Sequence, residues 1–363
     1  MKIYDVCIIG GGPSGLCAAQ RCAEAGLNTL LLDRSPSLGG QLIKQTHKFF
    51  GSKEHYAKFR GIEIAKLLQD KLTSFENLTI HTETTVVGIY EDFVITTLHH
   101  NQYKKVQAKA ILCAVGASEK FLAFENNDLP QIIGAGALQT LVNQTHVVPG
   151  ETMVMIGSGN IGLIVSYQMM QAGMKVKAII EANDGIGGYK VHASKLRRLG
   201  VPIHTKSTIK KAIGTDKLEA VEIIQLDEHY QEIPNTSQII PTDVLCISVG
   251  LSPLHQLTSM LNAKSAYIQE LGGWVPLLDE TYQCSVPGLF ACGDMVGIEE
   301  ASSAMMEGHL AALHVCAYLK QSHPQAAELI PYYENQLYEL RNGVHGSKTL
   351  KGILKRKEAM NAQ

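Results

Sequence analysis

The chain has 363 residues, enough for one large or two medium domains, each with its own core. Apolar residues make up 45% and charged residues 18%, an ordinary α/β composition rich in glycine, and a net charge of −2 gives no global field for nucleic acid or an anionic membrane. No apolar run approaches the roughly 18 residues that span a bilayer, and Met1 leads directly into a strand-like run, so a cytoplasmic protein without a secretory leader is expected.

In chain order, the first readable unit is "DVCIIGGGPSGLCAAQRCAEAGLNTLLLDRS". A strand over Val6–Ile9 runs into Gly10-x-Gly12-x-x-Gly15, a helix with small residues follows and ends at Gly26, and a second strand over Thr29–Leu32 finishes in Asp33. Gly10 permits the tight turn, Gly12 lets backbone approach a pyrophosphate, and Gly15 lets helix and strand pack closely. Pro13 and Ser14 open the helix, whose N-terminus favours anionic phosphate, and Asp33, with Arg34 beside it, is placed to accept hydrogen bonds from ribose hydroxyls. The complete strand–helix–strand frame points to dinucleotide binding; an incidental glycine turn is the plainer reading.

Next comes "GGQLIKQTHKFF", Gly39 to Phe50, a polar and aromatic loop without a cysteine. It holds Gly40, Gln41 and His47. Val86 follows in a later strand-like stretch, and "AKAILCAVGASEK" brings a strand past Ala114 to a turn at Gly116; Gly40, Gln41, Val86, Ala114 and Gly116, with Gly250 and Ala301 further on, are candidate cofactor-binding positions.

The first pattern then returns. Met153–Ile156 runs into Gly157-x-Gly159-x-x-Gly162, with Asn160 and Ile161 opening the helix, and Val176–Ile180 closes in Glu181. Two fingerprints imply two dinucleotides, in such pairs usually a flavin and a nicotinamide; a fold duplicate that has lost its ligand is the alternative. Glu181 suits a ribose diol and repels a 2′-phosphate, and residues 182–188 contain no Arg or Lys, so NAD(H) is expected over NADP(H).

Beyond it, Tyr189 and His192 are candidates to border the nicotinamide or a domain boundary, with plain structural roles as the alternative, while Lys195, Arg197 and Arg198 read as a solvated helix face, with an acidic partner as the alternative. "DVLCISVGLSP" passes through Gly250, and "VPGLFACGDMVG" sets Gly293 and Asp294 at a strand end before a helix opening near Ala301. Lys348 to Lys357 holds five cations in ten positions, read as a solvated helix end, with docking to a partner as the alternative. The eight cysteines include no C-x-x-C pair and no zinc-ligand spacing, so reduced, structural thiols and no metal site are expected.

Together, the two fingerprints and these three exit segments resemble the two-dinucleotide-binding-domain flavoproteins of the thioredoxin-reductase type. The resemblance implies two Rossmann-like, three-layer α/β domains. An NAD domain, 120–249, would be inserted into a discontinuous FAD domain, 1–119 plus 250–363. It also implies that Asp294 meets the ribityl and phosphate side of the flavin, that the helix after it points its N-terminus at the ring, that Gln41 bonds the ring, and that His47 lies near it. Two readings of His47 stay open: a proton donor or potential-tuning group, and a hydrogen-bonded loop histidine.

Thioredoxin reductases carry a C-x-x-C early in the NAD domain, and glutathione-reductase relatives carry a cysteine pair after the first βαβ unit. Neither is present, which speaks against disulfide reduction. "GGQLIKQTHKFFGSKEH", "ENNDLPQIIGAGALQTLVN" and "GIGGYKVHASKLRRLGVPI" are similar to the FAD/NAD subunits of multi-subunit dehydrogenases and oxidases. These include hydrogen cyanide synthase, opine oxidase, sarcosine oxidase, dye-linked proline dehydrogenase and flavoproteins that accompany glycerol-3-phosphate dehydrogenase. That group implies hydride transfer between nicotinamide and flavin N5, a homo- or hetero-oligomer, and a partner dehydrogenase subunit. The chain's last stretch has no cysteine, so any iron–sulfur relay would sit on a partner. Two alternatives stand beside it: a ferredoxin–NAD(P) reductase of the thioredoxin-reductase fold, and a non-catalytic FAD-binding subunit.

Overall fold

A computed structural model describes residues 1–343 and 346–362. The chain divides into two compact units: 1–43, 48–118 and 251–363 form the first, and 44–47 with 119–250 form the second.

The first unit is built on a seven-stranded sheet. β1 (Ile3–Ile9), β2 (Thr29–Leu32), β3 (Leu78–His81), β4 (Thr85–Ile89), β5 (Val94–His99) and β6 (Gln102–Cys113) lie in the order β3-β2-β1-β6-β5-β4, and Leu289–Ala291 also pairs with β6. β1, β2, β3 and β6 run parallel, whereas β4, β5 and β6 form an antiparallel meander. Where they lie side by side, residues 6–9 of β1, 30–32 of β2 and 110–113 of β6 are apolar at every position because both faces are covered. Val6, Ile8, Leu31, Ala110 and Leu112 pack with the helices Pro13–Glu24 and Ala301–Tyr318, while Cys7, Ile9, Leu30, Ile111 and Cys113 enter a second core on the other face. This is the alternation that strand geometry dictates. Two further helices, Ala326–Arg341 and Ser347–Asn361, belong to the same unit.

The second unit has a five-stranded parallel sheet in the order Ile203–His204, Lys175–Ile180, Thr152–Ile156, Val244–Ile247, Ile132–Gly134. Helices Ala135–Asn143, Asn160–Gln171 and Lys190–Arg198 supply one core with Met153, Met155, Val176 and Ile179. A three-stranded antiparallel sheet, Ser207–Ile213, Ala220–Gln225 and Gln238–Pro241, supplies the other with Val154, Ile156, Ala178 and Ile180. An irregularity between Val176 and Ala178 shifts the register, which is how Val176 and Ile179 reach one face and Ala178 and Ile180 the other. Each unit is therefore a three-layer α/β fold.

Residues 44–47 group with the second unit although their neighbours on both sides belong to the first. Asn143 donates to the Lys44 carbonyl at 2.6 Å, and the buried Gln168 donates to Thr46 Oγ1 at 2.6 Å while accepting from Gln139 at 2.7 Å. His47 is thus a constituent of the second unit, where the resemblance gave only a place near the flavin. Among the described residues no helix is long and apolar enough to cross a membrane.

Candidate functional sites of the two units

In the first unit the fingerprint residues converge on the N-terminus of the helix Pro13–Glu24, which has no side-chain cap. Its first backbone N–H groups are therefore offered outward. The glycines separate into two kinds. A Cβ on Gly15 would lie 1.8 Å from the Gly10 carbonyl oxygen, and one on Gly10, whose φ is +108°, would lie 2.3 Å from the Ala114 oxygen; both positions are closed by packing. A Cβ on Gly12 would meet nothing nearer than the Gly40 Cα at 3.9 Å, whereas one on Gly40, whose φ is +54°, would lie 2.8 Å from the Gly12 Cα, so the Gly12 position is open while Gly40 packs against it. Asp33 completes the cradle: Oδ2 accepts the Gly11 N–H at 2.6 Å and Oδ1 accepts the Ser35 N–H at 2.7 Å. Each oxygen keeps a lone pair for a ligand hydroxyl.

Gly293, with φ +74°, closes the cradle from the far side of the chain, since a Cβ there would sit 2.6 Å from Ser14 Oγ. Burial, the largest influence, pushes the neighbouring Asp294 carboxyl up to about 7, a single backbone N–H from Glu299 opposing it. Among the other candidates Ala114 is buried, Val86 and Ala301 are half-buried, Arg34 and Gln41 are exposed, and Gly116 turns with φ +76°.

The second unit repeats the arrangement at Asn160–Gln171, again without a side-chain cap. A Cβ on Gly162 would lie 2.2 Å from the Gly157 oxygen and one on Gly157 2.1 Å from the Ser248 oxygen, whereas nothing lies within 4 Å of the Gly159 position. Glu181 is held more completely than Asp33. Oε2 accepts Ser158 N at 2.9 Å and Ser158 Oγ at 2.5 Å, and Oε1 accepts Asn183 N at 3.0 Å and Nδ2 at 2.7 Å. Burial raises its pKa most, yet these four bonds together outweigh burial and keep the carboxylate below its ordinary value.

Ser158 and the turn at Gly187 and Gly188 were not foreseen, and of Tyr189 only a place bordering the nicotinamide or a domain boundary was expected. Gly187 N donates to Ser158 Oγ at 3.1 Å, Gly188 N to the Ser158 carbonyl at 2.8 Å, and Tyr189 N to Asn160 Oδ1 at 2.8 Å. The glycine pair in "GIGG" was the available signal, because a Cβ on Gly188 would press on Asn160 N at 2.9 Å. Ile161 is exposed, and Gly250, with φ +115°, is an exposed turn in this unit.

His47 is half-buried, and burial followed by the field of His192 pushes its imidazole down to about 4. Both effects favour the neutral imidazole. Lys195, Arg197 and Arg198 are exposed, as read for a solvated helix face, and Lys195 lies over the Tyr167 ring at 3.4 Å. The reading of the other basic segment changes at one residue. In the C-terminal cluster Arg356 is 7% exposed and donates to the Val296 carbonyl at 2.8 Å, Lys355 pairs with Glu270, and Lys357 with Glu280. That helix end is partly built into the fold, because a helix whose cations fall on several faces must turn one of them inward.

All eight cysteines are free and buried. Burial pushes the thiols of Cys17 and Cys284 up to about 12 and those of Cys7, Cys113 and Cys246 higher still. None of these five offers a thiolate.

The sequence pattern of the pyridine nucleotide-disulphide oxidoreductases matches residues 4–308. The chain belongs to that family. Like the rest of the pyridine nucleotide-disulphide oxidoreductases it is an oxidoreductase, though with no accessible cysteine. It is similar to an opine oxidase subunit of Rhizobium meliloti (strain 1021), 26% identical over 342 residues covering 88% of this chain and 72% of that one. It is 26% identical over 324 residues to the alpha subunit of the sarcosine oxidase of Corynebacterium sp. (strain U-96), covering 84% of this chain and 31% of that one, so it spans about a third of that relative's length. Thioredoxin reductase of Lactococcus lactis has the same fold, with a TM-score of 0.71 at 19% identity over 88% of this chain and 99% of that one.

Proposed function

We propose that the protein is an FAD-dependent, NAD(H)-linked oxidoreductase that works without a redox-active disulfide, as one subunit of an amine, amino-acid or polyol dehydrogenase complex. The observation that carries this reading is the repeated pairing of an open glycine, Gly12 or Gly159, with an uncapped helix N-terminus and a carboxylate, Asp33 or Glu181. The first unit, read from sequence as 1–119 plus 250–363 and bounded in the fold as 1–43, 48–118 and 251–363, is assigned to FAD, and the second, read as 120–249, to NAD(H).

When bound, FAD supplies the acceptor or donor for hydride exchanged with a nicotinamide. The chain's own part is to bind and orient. Backbone N–H groups at Ser14 and Gly15 would hold one pyrophosphate and those at Asn160 and Ile161 the other. Asp33 would accept from one ribose. Glu181, ionised and buried, would accept from the second and oppose a 2′-phosphate there. Both Glu181 oxygens are already doubly engaged, so Ser158 Oγ or the Asn183 amide must yield a position to the ribose diol. Assembly with a partner is supported by the relatives' names, which describe subunits of oxidases.

Purified protein is expected to carry stoichiometric flavin that NADH bleaches much faster than NADPH. Protein without flavin, or flavin that neither nucleotide bleaches, refutes the reading, and ferredoxin-dependent turnover would replace it with a ferredoxin reductase.

A further inference from the structure

Around the turn that begins at Gly293 lies a set of buried charges whose cations come from beyond residues 4–308. Glu307, in the helix Ala301–Tyr318, is 3% exposed. Its Oε2 accepts the Gly293 N–H at 2.8 Å and its Oε1 accepts from Arg341 Nη2 at 2.5 Å. Arg341, the last residue of the helix Ala326–Arg341, also spans Glu299 through Nε at 3.1 Å and Nη2 at 2.6 Å. Arg356, from the helix Ser347–Asn361, reaches the Val296 carbonyl. Both ends of the turn, Gly293 and Val296, are therefore tied to side chains, one through Glu307 and Arg341 and the other through Arg356.

Buried arginine–glutamate lattices are poor devices for stability alone. The desolvation of each ion offsets the attraction, and apolar replacements of similar volume are often neutral or better. What such a lattice does well is fix geometry, because an arginine fork bridging two carboxylates has one good arrangement. It also cancels charge: Glu299 and Glu307 would otherwise place two uncompensated negative charges beside Asp294.

We propose that Arg341 and Arg356 are positioning residues for the cofactor turn, holding Gly293–Val296 against Ser14 and neutralising the carboxylates behind Asp294 so that electrons can enter the flavin. This rests on the FAD reading of the first unit. Displacing the turn moves Gly293 on Ser14, and with it the helix N-terminus that faces the phosphates. Removing the cation leaves negative charge that opposes flavin reduction.

The test is FAD binding to flavin-stripped protein, followed by flavin fluorescence, together with the midpoint potential of the reconstituted protein, for wild type, Arg341→Leu and Arg341→Lys. Arg341→Leu is expected to weaken FAD binding at least tenfold and to lower the midpoint by about 30 mV, a tenfold shift in a two-electron equilibrium. Arg341→Lys, which keeps the charge and loses the fork, should recover most of the potential and only part of the affinity. If Arg341→Leu does not fold, Arg341→Lys alone decides, since weakened affinity at a near-native potential is the signature. Affinity and potential within twofold and a few millivolts of wild type in every folded variant overturn the proposal. A wild type that takes up no FAD overturns the flavin reading itself.

Discussion

At the residue scale, the glycines of the two fingerprints do different jobs, and the difference is measurable. Gly159 has φ −65° and open space where a Cβ would stand, so alanine fits the backbone and touches nothing. Gly159→Ala should leave unfolding free energy within about 0.5 kcal/mol of wild type while weakening NADH binding at least tenfold, because the new methyl occupies the approach to the pyrophosphate. Titration calorimetry beside a denaturant curve separates the two effects; equal NADH affinity in the variant would show that the gap is not the phosphate site. Gly162 differs, since its Cβ would enter the Gly157 carbonyl. Sequence spacing names all three glycines alike, and only the surrounding atoms distinguish the open one from the packed ones. His47 shows the same limit from the other side. Its neighbours in sequence are polar, yet burial and His192 hold it neutral.

At the element scale, the helices Pro13–Glu24 and Ala301–Tyr318 pack backbone to backbone, with Ala18, Ala19, Cys22, Ala311 and Ala312 in one core. The closest approach is at Gly308, where a Cβ would lie 2.1 Å from the Ser14 oxygen. Gly308→Ala is expected to cost about 1–3 kcal/mol through overpacking, read from the midpoint of urea unfolding, and to weaken FAD retention because Ser14 sits in the first turn of the cofactor helix. A variant as stable as wild type would mean that the helix pair can separate by a methyl's width at no cost. Small residues at helical spacing in "ASSAMMEGHLAALHVCAYL" announce a buried helix. They do not say which helix it meets, because that partner lies about 290 residues earlier in the chain, from Gly308 back to Ser14.

At the scale of the whole molecule, burial of all eight thiols leads to a direct expectation. Treatment of the native protein with an alkylating reagent should modify no cysteine on the timescale of assay and leave NADH-driven flavin reduction unchanged, as mass spectrometry and absorbance would report. Loss of flavin reduction in step with one modified cysteine would restore thiol chemistry to the reaction. Both strand–helix–strand units, the ends of their strands and the family were legible from sequence, because glycine spacing and apolar periodicity act within some thirty residues and need no knowledge of the rest of the fold. The antiparallel layer of the second unit, the capture of Lys44–His47 by that unit, the saturation of Glu181 by Ser158 and Asn183, and the inward turn of Arg356 were not. Arg341 meets Glu307 across 34 positions and Arg356 meets Val296 across 60, and neither pairing leaves a local trace. The sequence by itself determined where the two glycine fingerprints and their closing carboxylates lie, since short-range backbone geometry encodes them. Only the tertiary structure decided which charges are buried together and which histidine is neutral, since desolvation and pairing depend on what the fold brings within a few ångströms.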